Sequence, residues 1–238
     1  MCRCDYLFSL AQQPEFGTRS PRREITMIRN PPVHPIKLHR LALSGHCHRV
    51  EFLLSLLDLP YVVVDVDLLA GDHKRPEFLA LNPFGQVPVI QDGDVTLADS
   101  NAILIYLERR YAPGQWMPTD PLGEARVQRW LSVAAGPLAF GPAAARVIAL
   151  FRRPDDPAPA IARAEQLFLL MERELSTRSW LAGDAPTLAD LANYAYVARA
   201  PEGGVPLHAY PRLRAWLHRV EALPGFVPFV QSAVGLAA

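Results

Sequence analysis

Two short polar motifs each stand between an apolar run that predicts a strand and a run that predicts a helix. Ser44 and Gly45 follow IKLHRLA, and Asp99 and Ser100 follow DVTL. Serine and aspartate are common helix N-caps, and capping alone would explain both pairs. However, a helix N-terminus also attracts anions, because its first N–H groups are unpaired and the dipole is positive there. One small domain would therefore offer two sites for anionic groups.

A proline inside the run QVPVI is the third candidate feature. Pro88 has no N–H to give to a sheet, so the simplest interpretation is that it begins an edge strand. It also favours an extended conformation at Val87. If the Val87–Pro88 bond is cis, the N–H and C=O of Val87 would be free to pair with an extended ligand. A small peptide-like ligand with a thiolate and carboxylates would suit this edge and the two helix starts.

The cluster His46-Cys47-His48 suggests two other kinds of chemistry. Adjacent residues of a helix point in different directions, and no second ligand pair follows at zinc-like spacing, so we predict no metal site. Cys47 lies about one turn beyond Ser44. A cysteine there is more often a small buried apolar residue than a nucleophile.

The elements that would position these residues form two domains. An α/β pattern of strand, helix and strand predicts a parallel pair joined by a right-handed crossover. Asp92-Gly93 between two short apolar runs predicts a hairpin. The first domain, residues 36–111, is therefore expected to hold a four-stranded mixed sheet and three helices. A linker over residues 112–120 carries Pro and Gly, and residues 121–230 show only amphipathic helical patterns, with Thr187 and Asp190 spaced like a capping box.

Residues 1–35 differ from the rest of the chain, because they carry five prolines and five arginines and have no sustained period. We predict a disordered N-terminal extension, with Met27 as a candidate natural start. The apolar stretch YLFSLA is too short for a secretory signal, and the acidic residues argue against a mitochondrial transit peptide.

The composition argues against several classes of protein. The 238 residues fit one large or two small domains. The 24 basic and 24 acidic residues balance, whereas a protein that binds nucleic acid or a membrane surface would carry a basic excess. No apolar run reaches the roughly 18 residues of a membrane span. Three cysteines form no disulfide framework, so a reducing cytoplasm is the expected location.

Several stretches taken together resemble the soluble, or cytosolic, glutathione S-transferases, and in particular their serine-type, bacterial-like members. They are LSGHCHRV (43–50), GDHKRPEFLALNPFGQVPVI (71–90), TLADSNAILIYL (96–107) and GDAPTLADLANYAYV (183–197). The resemblance covers residues 36–229 and leaves residues 1–35 unaccounted for. It implies a thioredoxin-like glutathione-binding domain followed by an all-α domain.

The resemblance also implies a role for each candidate residue. Ser44 would hydrogen-bond the sulfur of glutathione, and Val87 would pair with its cysteinyl main chain. The carboxylate of the γ-glutamyl end would bind Ser100, and its ammonium would bind Asp99. Many relatives carry Glu at the position of Asp99. The implied glutathione-binding set is Ser44, His73, Gln86, Val87, Asp99 and Ser100. In this set His73 and Gln86 would reach the glycyl carboxylate, and Lys74 is a weaker candidate.

The implied function is a transferase of the detoxification type that conjugates glutathione to an electrophilic small molecule. Glutathione would serve as co-substrate, with no other cofactor, and the enzyme would be a homodimer. Trp130, Val133 and Phe140 are candidates for the electrophile side of the cleft. The alternatives are a glutathione-dependent isomerase, dehalogenase or peroxidase on the same site, and a non-catalytic binding module. A redox role for Cys47 in place of Ser44 is a further alternative.

Overall fold

The computed structural model describes residues 31–232, so residues 1–30 of the extension predicted for residues 1–35 lie outside the described residues. The four strands are β1 (Ile36–Arg40), β2 (Tyr61–Asp65), β3 (Val89–Asp92) and β4 (Val95–Ala98). The helices are α1 (Gly45–Leu56), α2 (Pro76–Leu81), α3 (Ser100–Tyr111), α4 (Pro121–Ala135), α5 (Ala144–Leu150), α6 (Ala158–Glu174), α7 (Leu188–Ala198) and α8 (Pro211–Glu221). Short 3₁₀ turns cover Asp72–Lys74 and Ala200–Gly203, and a π-helical turn covers Ala139–Ala143.

The first domain is built on a mixed sheet with the strand order β2-β1-β3-β4. β1 and β2 are parallel, whereas β3 runs antiparallel to both β1 and β4. In this register Leu38 lies opposite Ile90, and Ile90 lies opposite Leu97. The predicted four-stranded mixed sheet is confirmed.

Alternation along the strands places a helical layer on each face of the sheet. Ile36, Leu38 and Ile90 are fully buried on the face that packs against α1 and α3. Val89 points the other way and packs with Phe78 of α2 in a smaller apolar cluster. The edge strand β2 is more open to solvent. The sheet therefore holds the starts of α1 and α3 on a rigid base.

Two local details of the sheet differ from the sequence-based expectation. The hairpin register pairs Asp92 with Val95, so the two loop residues are Gly93 and Asp94 rather than Asp92 and Gly93. Gly93 has a positive φ of 56°, which suits a glycine at the first position of such a turn. Pro88 does not begin an edge strand, because β3 lies between β1 and β4 and starts one residue later. The Val87–Pro88 bond is cis.

The second domain is all-helical, as predicted, and its first helical run is interrupted at two glycines, each of which precedes a proline. α4 ends at Ala135 with Gly136 as its C-cap, and Gly141 has non-helical torsions at the kink before α5. By length and composition alone the run Pro121–Leu150 could cross a membrane. However, Val127, Trp130 and Leu131 of this run are buried in the core of the helical domain.

The capping box predicted at the start of α7 is present. The Asp190 carboxylate is buried and accepts hydrogen bonds from the backbone N–H groups of Thr187 (2.9 Å) and Leu181 (3.0 Å) and from the indole N–H of Trp216 (2.8 Å). Burial raises the pKa of Asp190. One side chain therefore joins α7, α8 and the preceding loop.

Candidate active site

All six residues predicted to contact glutathione line one cavity of about 870 Å³ in the first domain: Ser44, His73, Gln86, Val87, Asp99 and Ser100. The cavity lies where the starts of α1 and α3 meet the loops before α2 and β3. A second cavity of about 540 Å³ adjoins the end of α7 and includes none of the six. The six residues are therefore together, and their binding roles remain predictions.

Ser44 is the N-cap of α1. Its hydroxyl oxygen accepts a hydrogen bond from the backbone N–H of Cys47 at 3.3 Å. No acidic residue occupies the first turn of α1, so no carboxylate offsets the positive end of the dipole. Because the oxygen of Ser44 is the acceptor in its cap bond, its own hydrogen remains available to an anion in the cavity.

Asp99 caps α3 in an unusual backbone conformation. Its φ of 71° lies in a region that few residues other than glycine adopt. One carboxylate oxygen accepts the N–H groups of Asn101 (2.9 Å) and Ala102 (3.0 Å). Residues held in such conformations cluster at functional sites, since the surrounding structure must hold them there. The strained link places both Asp99 and Ser100 on the cavity wall.

Arg49 is a buried cation beside Ser100 that sequence reasoning did not identify. It is only 1% exposed, and one guanidinium nitrogen donates to Ser100 Oγ at 3.2 Å and to Asn101 Oδ1 at 2.9 Å. Its Nε and Nη2 have no hydrogen-bond partner within the described residues. Burial lowers the pKa of Arg49 to about 10, so it is charged at neutral pH. The positive charge supports anion binding at the start of α3.

His46 is a second contributor to the cavity that was considered only as a metal ligand. Its Nδ1 lies 3.4 Å from Ser100 Oγ on the cavity wall. The ring packs edge-on against Tyr196, with ring centroids 5.1 Å apart. Burial, and then the charge of Arg49, lower the pKa of His46 to about 3. The imidazole is therefore neutral at physiological pH and places no second cation beside Arg49.

A tight loop carries Gln86 and Val87 to the cavity. The buried Asn82 donates its side-chain N–H to the carbonyl oxygen of Gln86 at 2.8 Å. Gly85 has a φ of 60°, and a Cβ there would lie 2.8 Å from the carbonyl oxygen of His73. Only glycine fits this approach without displacement. Val87 lies outside the sheet ladder, which begins at Val89.

The neighbouring loop brings two basic side chains to the same wall. His73 and Lys74 both line the cavity. His73 Nδ1 is buried and has no hydrogen-bond partner within the described residues. Both side chains are therefore placed where a carboxylate at this end of the cavity would meet them.

The three residues of the His46-Cys47-His48 cluster point to different places, as expected for neighbours on a helix. Cys47 is 1% exposed, and burial raises the pKa of its thiol to about 11. His48 Nε2 is 2.7 Å from the carbonyl oxygen of Val227, and burial lowers the pKa of its ring to about 4. No group of three or more potential ligands occurs among residues 31–232. Cys47 is not placed to act as a nucleophile.

The residues suggested for the electrophile side have three different environments. Trp130 is 3% exposed and belongs to the core of the helical domain, so its expected position on the cleft is wrong. A large aromatic side chain on an amphipathic helix is more often a core residue than a lining residue. Val133 is half-buried against that core, and Phe140 is 64% exposed.

Both domains match known protein families. The model of the glutathione S-transferase N-terminal domain matches residues 43–110, and that of the glutathione S-transferase C-terminal domain matches residues 148–224. Glutathione S-transferase 3 of Zea mays is 38% identical over 207 residues, which cover 81% of this chain and 91% of that protein. Human glutathione S-transferase theta-2 is 36% identical over 177 residues, which cover 70% and 72% of the two chains.

The solved structures agree with the sequence relatives. The crystal structure of a glutathione S-transferase from Pseudomonas fluorescens superposes with a TM-score of 0.79 at 33% identity, and the match covers 83% of this chain and all of that one. Sequence, fold and domain order thus point to one family. The chain belongs to the glutathione S-transferases, and it is a glutathione transferase enzyme.

Proposed function

We propose that the protein conjugates glutathione to an electrophilic small molecule and that Ser44 stabilises the thiolate, as in serine-type transferases. The observation that supports this most is the position of the Ser44 hydroxyl. It lies at the N-terminus of α1 on the wall of the same cavity as Val87 and the start of α3.

The thiolate needs this help because a free thiol, with a pKa near 8.5, is only a few per cent ionised at neutral pH. Lowering that pKa by about two units requires roughly 3 kcal/mol of preferential stabilisation of the anion. A hydrogen bond from Ser44 to the charged sulfur contributes about 1.5–3 kcal/mol. The N-terminus of α1 contributes up to about 2 kcal/mol in a partly buried site.

The γ-glutamyl end of glutathione is assigned to the start of α3. Ser100 would donate to the carboxylate, and the buried charge of Arg49, 3.2 Å from Ser100 Oγ, adds to the attraction. One oxygen of Asp99 is already used to cap α3, so its other oxygen would hold the ammonium. At the opposite end, His73 and Gln86 would hold the glycyl carboxylate, with Lys74 beside them.

The reaction requires no partner beyond the two substrates. The thiol of bound glutathione releases its proton to solvent, and the thiolate attacks an electrophilic carbon. A carbon–sulfur bond forms, and a leaving group departs with its bonding electron pair. The buried Cys47, whose thiol has a raised pKa, argues against a thiol–disulfide reaction at this site.

The proposed assembly is a cytoplasmic homodimer that acts independently of nucleic acid and membranes. Phe84 is 80% exposed on the rim of the cavity, and a second subunit would cover such a large apolar side chain. Light scattering of the purified protein tests the dimer, and a monomer at micromolar concentration would contradict it.

The test of the proposed activity has two steps: retention on immobilised glutathione, and then conjugation of a generic aryl halide. Ser44→Ala is expected to lower kcat at least about tenfold, which corresponds to about 1.4 kcal/mol in the barrier. Ser55→Ala is the matched control, because Ser55 is on the same helix and its hydroxyl donates to the carbonyl oxygen of Gly225 away from the cavity.

The alternatives give different results in the same assays. A non-catalytic binding module would show no conjugation and no effect of Ser44→Ala. An isomerase, dehalogenase or peroxidase would bind glutathione but prefer a substrate of its own class, which a substrate panel reveals. A reaction through Cys47 would be lost in Cys47→Ala and retained in Ser44→Ala.

A further inference from the structure

Tyr196 of the helical domain lies directly over the first residue of α1. It belongs to α7 and is only 5% exposed. A Cβ added to Gly45 would lie 2.8 Å from Cζ of Tyr196, the ring carbon that carries the hydroxyl, and 2.9 Å from Cε2. The hydroxyl end of the phenol therefore faces the start of α1, beside Ser44.

The surroundings of this phenol are polar although it is buried. Ser44, Arg49 and Arg146 all lie close enough to the phenol to lower the pKa of Tyr196. Burial outweighs these influences and raises the pKa of Tyr196. The phenol therefore keeps its proton at neutral pH and can donate a hydrogen bond.

The hydroxyl of Ser44 has one hydrogen and two acceptor positions. One acceptor position is used by the backbone N–H of Cys47, at 3.3 Å. A phenol is more acidic than an alcohol, so Tyr196 is the better donor of the two hydroxyls. If Tyr196 donates to the second acceptor position of Ser44, the hydrogen of Ser44 can point only away from both donors, into the cavity.

We propose that Tyr196 is a positioning residue for the thiol site: its O–H donates to Ser44 Oγ and directs the Ser44 O–H toward the sulfur of glutathione. This inference rests on the proposed role of Ser44. The chain of hydrogen bonds also polarises the serine hydroxyl, because each donor strengthens the next in a water-poor environment. The helical domain would thus contribute to thiol activation as well as to the electrophile side.

The direct test is Tyr196→Phe, which removes one oxygen and keeps the ring against Gly45 and His46. The pKa of enzyme-bound glutathione, read from thiolate absorbance, is expected to rise by about 0.5–1 unit. We expect kcat at pH 6.5 to fall about three- to tenfold with less than a twofold change in KM for glutathione, and the loss to shrink at high pH. Circular dichroism checks the fold.

Tyr194→Phe is the matched control, two residues earlier on the same helix. The hydroxyl of Tyr194 donates to Glu221 at 3.0 Å, so its removal should leave the thiol pKa unchanged. Replacing Tyr196 with 3-fluorotyrosine, a more acidic phenol of nearly the same shape, should lower the thiol pKa. A purely structural role of Tyr196 would not produce that opposite shift. The 3-fluorotyrosine variant also tests the inference if Tyr196→Phe does not fold.

The double variant Ser44→Ala/Tyr196→Phe separates this inference from the proposed function. If Tyr196 acts through Ser44, the double variant has the thiol pKa of Ser44→Ala alone. A raised pKa in Ser44→Ala with no change in Tyr196→Phe, or additive effects of the two, would overturn the inference and leave the function intact. An unchanged pKa in Ser44→Ala would overturn both.

Discussion

Arg146 of α5 donates a hydrogen bond of 2.8 Å from Nη1 to the backbone carbonyl oxygen of Leu43, the residue before Ser44. The guanidinium is 1% exposed and pairs through Nε with Glu202 at 2.7 Å. Glu202 also accepts the N–H and the hydroxyl of Ser232. A buried polar network of the helical domain thus reaches the loop that holds the candidate thiol-stabilising serine.

Arg146→Met should be strongly destabilising. The change removes the closest cation of a carboxylate that is 3% exposed, and breaking a buried pair from one side costs about 3–5 kcal/mol. Urea unfolding measures the loss. Arg212→Met is the control, because the Arg212 side chain is 56% exposed and its pair with Glu172 should contribute less than about 1 kcal/mol. Equal losses in the two variants would contradict the buried-network interpretation.

Acid should destabilise the protein in part through His48. Its folded pKa of about 4 lies below the ordinary value of 6.5, so its contribution is present above pH 6.5 and is lost as the pH falls toward 4. Between pH 7 and pH 5 this one group accounts for about 2 kcal/mol. His48→Gln, which keeps a donor for the carbonyl of Val227, should show a correspondingly smaller pH dependence in urea unfolding. Identical pH dependence in the two proteins would be evidence against a buried neutral His48.

The capping-box carboxylate should matter far more than an ordinary helix cap. Asp190→Ala leaves three buried N–H donors without their acceptor, and each costs about 1–3 kcal/mol. A loss of at least about 3 kcal/mol in thermal or urea unfolding is expected. The comparison is Asp156→Ala, where an exposed carboxylate caps the N–H of Ala158 and the loss should be about 1 kcal/mol or less. A similar loss at both positions would show that Asp190 acts as a cap only.

The sequence predicts the fold well because its main signals are local. Alternation, helical periodicity and turn residues are properties of neighbours in the chain, and they identify the mixed sheet and the helical domain. The interior position of β3 and the turn at Gly93 could not be predicted from local signals, because they depend on which strands pair and in what register. Likewise, periodicity does not separate a core aromatic residue such as Trp130 from one that lines a cleft.

The six cavity residues could be predicted because they lie in contiguous stretches that resemble those of a known family, and His73 and Gln86 were identified through that resemblance alone. The supporting groups could not be identified so directly, since Tyr196 is brought to Ser44 only by the packing of one domain on the other. Arg49 did leave a signal. It lies three residues before Phe52 and four before Leu53, and residues at these spacings share one face of a helix. Because Phe52 and Leu53 are fully buried, an arginine on the same face of α1 indicated a buried charge.

The most direct test of the central claim is the ionisation of the glutathione sulfur in the complex with the full-length enzyme. Thiolate absorbance is measured against pH for the wild-type protein and for Ser44→Ala. For the wild-type protein, the account predicts an apparent pKa of the bound thiol about two units below the ~8.5 of a free thiol. In Ser44→Ala, this pKa should rise most of the way back to that of a free thiol. A bound thiol as weakly acidic as free glutathione, or one whose acidity is the same in both proteins, would contradict it.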